Sequence, residues 1–187
     1  MNTFSQGLLG AHPSAWRKLV WGGAAAVMAI PVTLRLTVAE MAWDGFDFAV
    51  FGAMLLLAGL AFELVLRFAG ASIWSVLAAL LSIGGAFLMV MANLAVGIIG
   101  NEGNPINLVF FALLGAGALG AIAVRLRAAG LARVLTLMAA GQALLGIALA
   151  LGGNAYLPVF TAVFVAIWLG AAALFRKAAR QAGQWMA

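Results

Sequence analysis

The sequence predicts an all-α polytopic membrane protein, a compact bundle of six transmembrane helices with N and C termini cytoplasmic. Three observations carry the prediction: apolar composition, six apolar runs of spanning length, and a sorting of charge between the loops. Of 187 residues, 66% are hydrophobic and 8% charged, and the mean hydropathy is +1.16. Soluble domains are roughly 25% charged. A helix needs about 20 apolar residues to cross ~30 Å of hydrocarbon. The runs that qualify are Leu19–Val38, Phe48–Leu66, Ile73–Ile99, Ile106–Val124, Val134–Leu151 and Tyr156–Phe175. Joined by short turns they use nearly the whole chain, so residues 1–187 read as one six-helix domain.

With those spans, nine of ten basic residues fall on one face: Arg17, Lys18, Arg67, Arg125, Arg127, Arg133, Arg176, Lys177 and Arg180. Four of five acids, Glu40, Asp44, Asp47 and Glu102, fall on the other. Lys and Arg are retained on the cytoplasmic side during insertion, which places both termini there. The net charge of +5 is spread over helix ends, where it orients the chain and meets anionic headgroups. The expected partner is therefore the lipid bilayer and not nucleic acid.

The chain has no cysteine, which removes disulfides, thiolate nucleophiles and thiolate metal sites together. Its single histidine, His12, precedes the first span, so no pair of imidazoles holds a haem. No HExxH, phosphate-binding glycine loop, serine–histidine pair or paired intramembrane aspartate is present, and no cofactor or metal is expected. The first span is read as retained and not as a cleaved signal, because Arg35 interrupts it and Thr37-Val38-Ala39 is a poor cleavage site.

In chain order, residues 1–15 are polar and small, with Phe4, Leu8 and Leu9 suited to the interface. Trp16 and Trp21 flank Arg17 and Lys18 as an aromatic belt with a positive anchor. Pro31 removes a backbone hydrogen bond from span 1, predicting a kink near its outer end. Trp43 marks the outer interface and Trp74 the inner one. Span 3 would measure about 40 Å if helical throughout, so it must tilt or stop early. Asn93 and Gly97 are where it loosens. The loop Gly100–Pro105 follows, with Pro105 suited to a first helical turn. Spans 4 and 5 are joined inside by Arg125–Arg133, and spans 5 and 6 outside by Gly152–Ala155.

Small residues recur four apart: Gly22/Ala26, Ala116/Gly120, Gly117/Ala121, Ala139/Ala143 and Gly146/Ala150. Such faces let helix backbones approach closely in lipid. They either hold the monomer together or, most readily on span 4, join a second copy or a membrane-protein partner. At an offset of 60 residues, Phe51, Arg67 and Gly70 meet Phe111, Arg127 and Gly130. This suggests a duplicated hairpin, although a chain so rich in Ala, Leu and Gly also produces matches by composition.

The candidate ligand or ion-pair residues are Arg35, Glu40, Asp44, Asp47, Glu63, Arg67, Asn93, Glu102 and Gln142. Glu63 and Arg67 are spaced for a one-turn ion pair, or Glu63 is a proton or cation site. Arg35 breaks the charge sorting, and an acid among Glu40, Asp44, Asp47 and Glu102 is its expected counter-charge. Gln142 is placed to hydrogen-bond across helices at mid-membrane, where Ser82 and Thr136 are the other polar groups. Asn93 either caps span 3 or binds ligand. With Asn101, Asn104, Asn107, Asn154 and Tyr156, the outer residues form either a polar pocket or ordinary solvated turns.

The run Asn93–Leu108, with Phe46-Asp47-Phe48 upstream, resembles an uncharacterised family of small bacterial multi-pass inner-membrane proteins. The likeness covers spans 2 to 6 and tapers over the first 40 residues. It implies a bacterial inner membrane and supplies no activity, cofactor or site. The functional expectation is a non-enzymatic interaction or accessory protein associating through small-residue helix faces. The alternative is a small-solute or ion transporter or binding protein using the outer polar face or Glu63.

Overall fold

The computed structural model describes residues 13–38, 40–153 and 157–183. His12, Asn154, Tyr156 and the interfacial residues Phe4, Leu8 and Leu9 lie outside the described residues. Six α-helices follow in order: α1 Pro13–Thr37, α2 Gly45–Ala69, α3 Ile73–Ala95, α4 Leu108–Ala123, α5 Ala128–Leu151 and α6 Leu157–Gln181. A 3-10 turn, Pro105–Asn107, leads into α4. Among the described residues there is no strand, and all six spans are long and apolar enough to cross a membrane. No more than 33% of any span's apolar window is buried within the protein. Leu57, Leu119, Leu137, Leu144 and Val159 stand more than half exposed, which is how a lipid-facing surface reads.

Helix ends extend past the apolar runs because basic helix formers need not leave the helix to reach water. Arg133, expected in a basic loop, lies inside α5, and the real connection is only the four residues 124–127. Ala and Arg favour the helix, and a long basic side chain snorkels from it. Arg176, Lys177 and Arg180 likewise belong to the final turns of α6, where the helix dipole favours cations. The α4–α5 turn is tight. Leu126 N–H donates to Ala121 O at 2.9 Å, and Arg125 and Leu126 take φ of 55° and 54°.

The chain divides into two compact units, Met1–Glu63 and Leu64–Ala187. In the first, α1 and the larger part of α2 run antiparallel. Trp21 lies on Gly59, whose added Cβ would sit 3.0 Å from the indole, and one heptad on Met28 touches Gly52 at 3.8 Å. A step of seven on α1 meets a step of seven back on α2, so two glycines make the notches that a Trp and a Met fill. Asp44 and Asp47 start α2. Asp44 Oδ1 accepts from the N–H groups of Phe46 and Asp47 at 2.7 and 3.1 Å, and Asp47 Oδ2 accepts from Asp44 N–H at 2.9 Å. This is a reciprocal capping box built from two aspartates.

The second unit is organised around α6, which packs against both α5 and α3, while α4 packs on α5. The buried face of α6 runs Leu157, Thr161, Phe164, Trp168, Ala171, Ala172, Phe175, a three–four spacing. Gly85 of α3 admits Ile167 and Trp168. Gly146 of α5 admits Thr161, and Gly117 and Gly120 of α4 admit Met138 and Val134. These small-residue seams are thus occupied within the chain, including the span 4 seam considered for a partner. At one end of this unit Lys177 Nζ sits 3.4 Å from the Trp74 ring centroid, and Arg176 donates to Thr136 Oγ1 at 2.7 Å.

Candidate functional site

At the opposite end of the second unit, α3 stops short of its apolar run for a local reason. Gly97 takes φ +70°, and a Cβ there would fall on the Asn101 backbone. Only glycine allows the chain to turn back at this point. Val96 and Gly97 N–H groups return to Ala92 and Asn93 carbonyls, closing the helix end.

Asparagines then build the corner. Asn101 Oδ1 accepts from Gly103 N–H and Asn104 Oδ1 from Ile106 N–H, both at 3.0 Å, each an Asx turn. Asn107, 3% exposed, holds the loop from below. Its Oδ1 accepts from Ile99 N–H at 2.8 Å, and its Nδ2 donates to Ile99 O at 3.2 Å and Asn101 O at 2.8 Å. One buried side-chain amide replaces the pairing that a second strand would give, so the loop is a fixed wall.

Asn93 differs from these. Its Nδ2 donates to Met89 O at 2.9 Å, an orientation the carbonyl acceptor forces. Its Oδ1 is buried and has no hydrogen-bond partner, in a residue only 3% exposed. An orphaned buried acceptor costs about 1–3 kcal/mol. Asn93 forms part of the wall of an open-sided cavity of about 430 Å³, with Leu94, Glu102, Gly103, Asn104, Pro105, Asn107, Leu108 and Phe111. That volume suits a small molecule. Glu102 is the one charged residue among the described residues lining it, and its carboxylate, exposed, makes no ion pair among the described residues. The corner thus presents a carboxylate beside apolar side chains.

Other candidates occupy different settings. Asp44 and Asp47 are committed to capping α2. Glu40 is exposed. Arg35 is exposed in the last turn of α1 and forms no ion pair with Glu40, Asp44 or Asp47, correcting the expected buried pair. A cation there complements the helix C-terminus and reaches headgroups without a counter-ion. Glu63 does not pair with Arg67. Its Oε1 accepts from Trp21 Nε1 at 2.6 Å and from Arg17 Nε at 3.0 Å. The Trp21 ring crosses Gly59 one turn earlier, which points its N–H at Glu63. Arg67 is exposed with its guanidinium 5.9 Å from the Phe68 centroid. Gln142 is fully buried, and neither its Oε1 nor its Nε2 is hydrogen-bonded, against the expected cross-helix bond. Among the described residues no cluster of His, Asp or Glu suits a metal ion.

Sequence reasoning missed the Trp21–Glu63 latch and the clamping role of Asn107. The spacing shared by Gly52/Gly59 and Trp21/Met28 was the available signal for the first. Nothing local distinguishes Asn107 from its neighbouring asparagines.

The fold defines an integral membrane protein of the multi-pass α-helical class. Comparison with known proteins finds no matching family model, no matching curated protein and no matching solved structure.

Proposed function

We propose that this is a non-enzymatic small-solute binding protein of a bacterial inner membrane, with the α3–α4 corner on the outer face and both termini cytoplasmic. The observation that carries the binding reading is the α3–α4 cavity itself, about 430 Å³, with the exposed Glu102 and the apolar side chains of Leu94, Leu108 and Phe111 in its wall. A concave, mostly apolar site of that size with a few polar groups is the ordinary form of a small-molecule site. The orientation rests on the basic residues at α-helix ends away from this corner. The bacterial assignment rests on the resemblance of Asn93–Leu108 and on eight Arg against two Lys, a usage typical of GC-rich bacteria.

A second reading, association with another copy or a membrane-protein partner, is favoured by α1. Gly22 and Gly23 meet nothing of their own unit within 4 Å of an added Cβ, leaving a small-residue face open beside Ala26. Native mass spectrometry of the gently purified protein tests both. A retained small molecule, lost when Leu108→Trp fills the cavity, supports the binding reading. A stoichiometric protein partner with no small molecule overturns it in favour of the second.

A further inference from the structure

We propose that the exposed face of α6 is a binding site for one anionic phospholipid. Its phosphate lies on Arg176, Lys177 and Arg180, and an acyl chain lies along the small residues that precede them on the same face. The second unit carries seven basic residues and a single acid, Glu102, and that acid belongs to the α3–α4 corner at the other end. Three of the seven fall within five residues of α6. Two of these are already anchored to neighbouring helices. Arg176 donates to Thr136 Oγ1 of α5 at 2.7 Å, and Lys177 Nζ stands 3.4 Å from the Trp74 ring centroid on α3. Arg180 is one turn beyond Arg176, falls between the two on the helical wheel and is exposed. None of the three has a carboxylate partner among the described residues.

The C-terminal end of α6 offsets part of their mutual repulsion through the helix dipole. Like charges one turn apart still oppose each other. A phosphate over Arg180 reaches three cations at once and takes charge-assisted hydrogen bonds from them. The two anchors fix two long side chains beforehand, so less rotamer freedom is lost when it arrives.

The rest of the face selects a lipid over a soluble polyanion. At 3.6 residues per turn, Ala162, Ala166, Leu169 and Ala173 share with the three cations an arc of about 100°. All four are exposed, and the three alanines leave a shallow track beside Leu169. From Ala162 to Ala173 the helix rises about 17 Å, close to the ~15 Å depth of one leaflet. Charge and apolar track therefore lie at the spacing of headgroup and acyl chain in a single molecule.

The test uses the full-length protein in a nonionic detergent. Native mass spectrometry follows titration with phosphatidylglycerol or with phosphatidylcholine of the same acyl chains. Phosphatidylglycerol should fill one site at least about tenfold more tightly than phosphatidylcholine. A basic side chain beside an anionic headgroup contributes about fivefold in affinity, so Arg180→Gln and Lys177→Gln should each cost about that, and together about 25-fold. Both positions are exposed, and the fold does not depend on either charge. Arg125→Gln, in the α4–α5 turn and off α6, should change affinity less than twofold. Ala166→Trp, which fills the track, should weaken the lipid, and excess glycerol 3-phosphate should fail to displace it. Equal binding of the two lipids would overturn the proposal, and so would a loss on Arg125→Gln as large as on Arg180→Gln, the mark of diffuse surface charge. Displacement by glycerol 3-phosphate, or binding indifferent to Ala166→Trp, would overturn it in favour of a soluble phosphate. Leu108→Trp at the corner should leave the lipid bound, so this site and the corner cavity stand or fall separately.

Discussion

Replacing Gln142 with leucine should make the protein more stable. Gln142 is 0% exposed, and both polar atoms of its amide lack a hydrogen-bond partner. Each orphaned buried group costs about 1–3 kcal/mol. In the unfolded state within detergent or lipid the same amide finds partial partners, and measured interhelical bonds average only about 0.6 kcal/mol. Leucine is close in volume and carries no polar atom, so no cavity offsets the gain. The net expectation is about 1–3 kcal/mol of stabilisation. Reversible unfolding by thermal or denaturant titration in detergent reads it. Trp168, 1% exposed, also has an unpartnered Nε1 and belongs to α6, which packs on the helix of Gln142. A cycle of Gln142→Leu with Trp168→Phe should therefore show coupling below about 0.5 kcal/mol. Destabilisation by more than about 1 kcal/mol, coupled to Trp168, would mean that the amide is bonded and refute the reasoning.

Three further outcomes follow from the geometry. Arg35→Ala should change stability by less than about 0.5 kcal/mol, because an exposed cation at a helix end loses only a dipole term; a loss of about 3 kcal/mol in the same unfolding assay would restore the buried pair. Glu63→Gln should lower Tm and couple more strongly to Trp21→Phe than to Arg17→Ala in double-mutant cycles, since the Arg17 side chain is 66% exposed and solvent screens such a pair. Gly97→Ala should lower Tm and collapse the Asn107 clamp, which amide hydrogen exchange at Ile99 would report as lost protection.

The six spans could be read from composition because lipid imposes a uniform demand on every residue of a run. The early stop of α3 could be read as well, since the run is too long and Gly97 sits where the chain must turn. Pairing was harder. Glu63 has a helical neighbour at Arg67 and a distant partner at Trp21, and only the packing of α1 on Gly52 and Gly59 decides for the second. Arg35 invited a counter-ion through a rule for buried charge, but its place in the last turn of α1 exempts it. Asp44 and Asp47 were grouped with the polar outer residues, and their spacing of three is a capping box whose chemistry is local and complete. At the corner, four asparagines within fifteen residues announce turns. Which one is left with an unpaired oxygen depends on the bonds the others make.

The central claim sets the Glu102 corner and the basic helix ends on opposite faces of one membrane. The chain contains no cysteine, so single-cysteine variants report position without background. Glu102→Cys and Arg127→Cys are each exposed in bacterial cells to a membrane-impermeant maleimide. The account predicts labelling of Glu102→Cys in intact cells and of Arg127→Cys only after permeabilisation. Labelling of both from the same side, or of Arg127→Cys alone in intact cells, would contradict it.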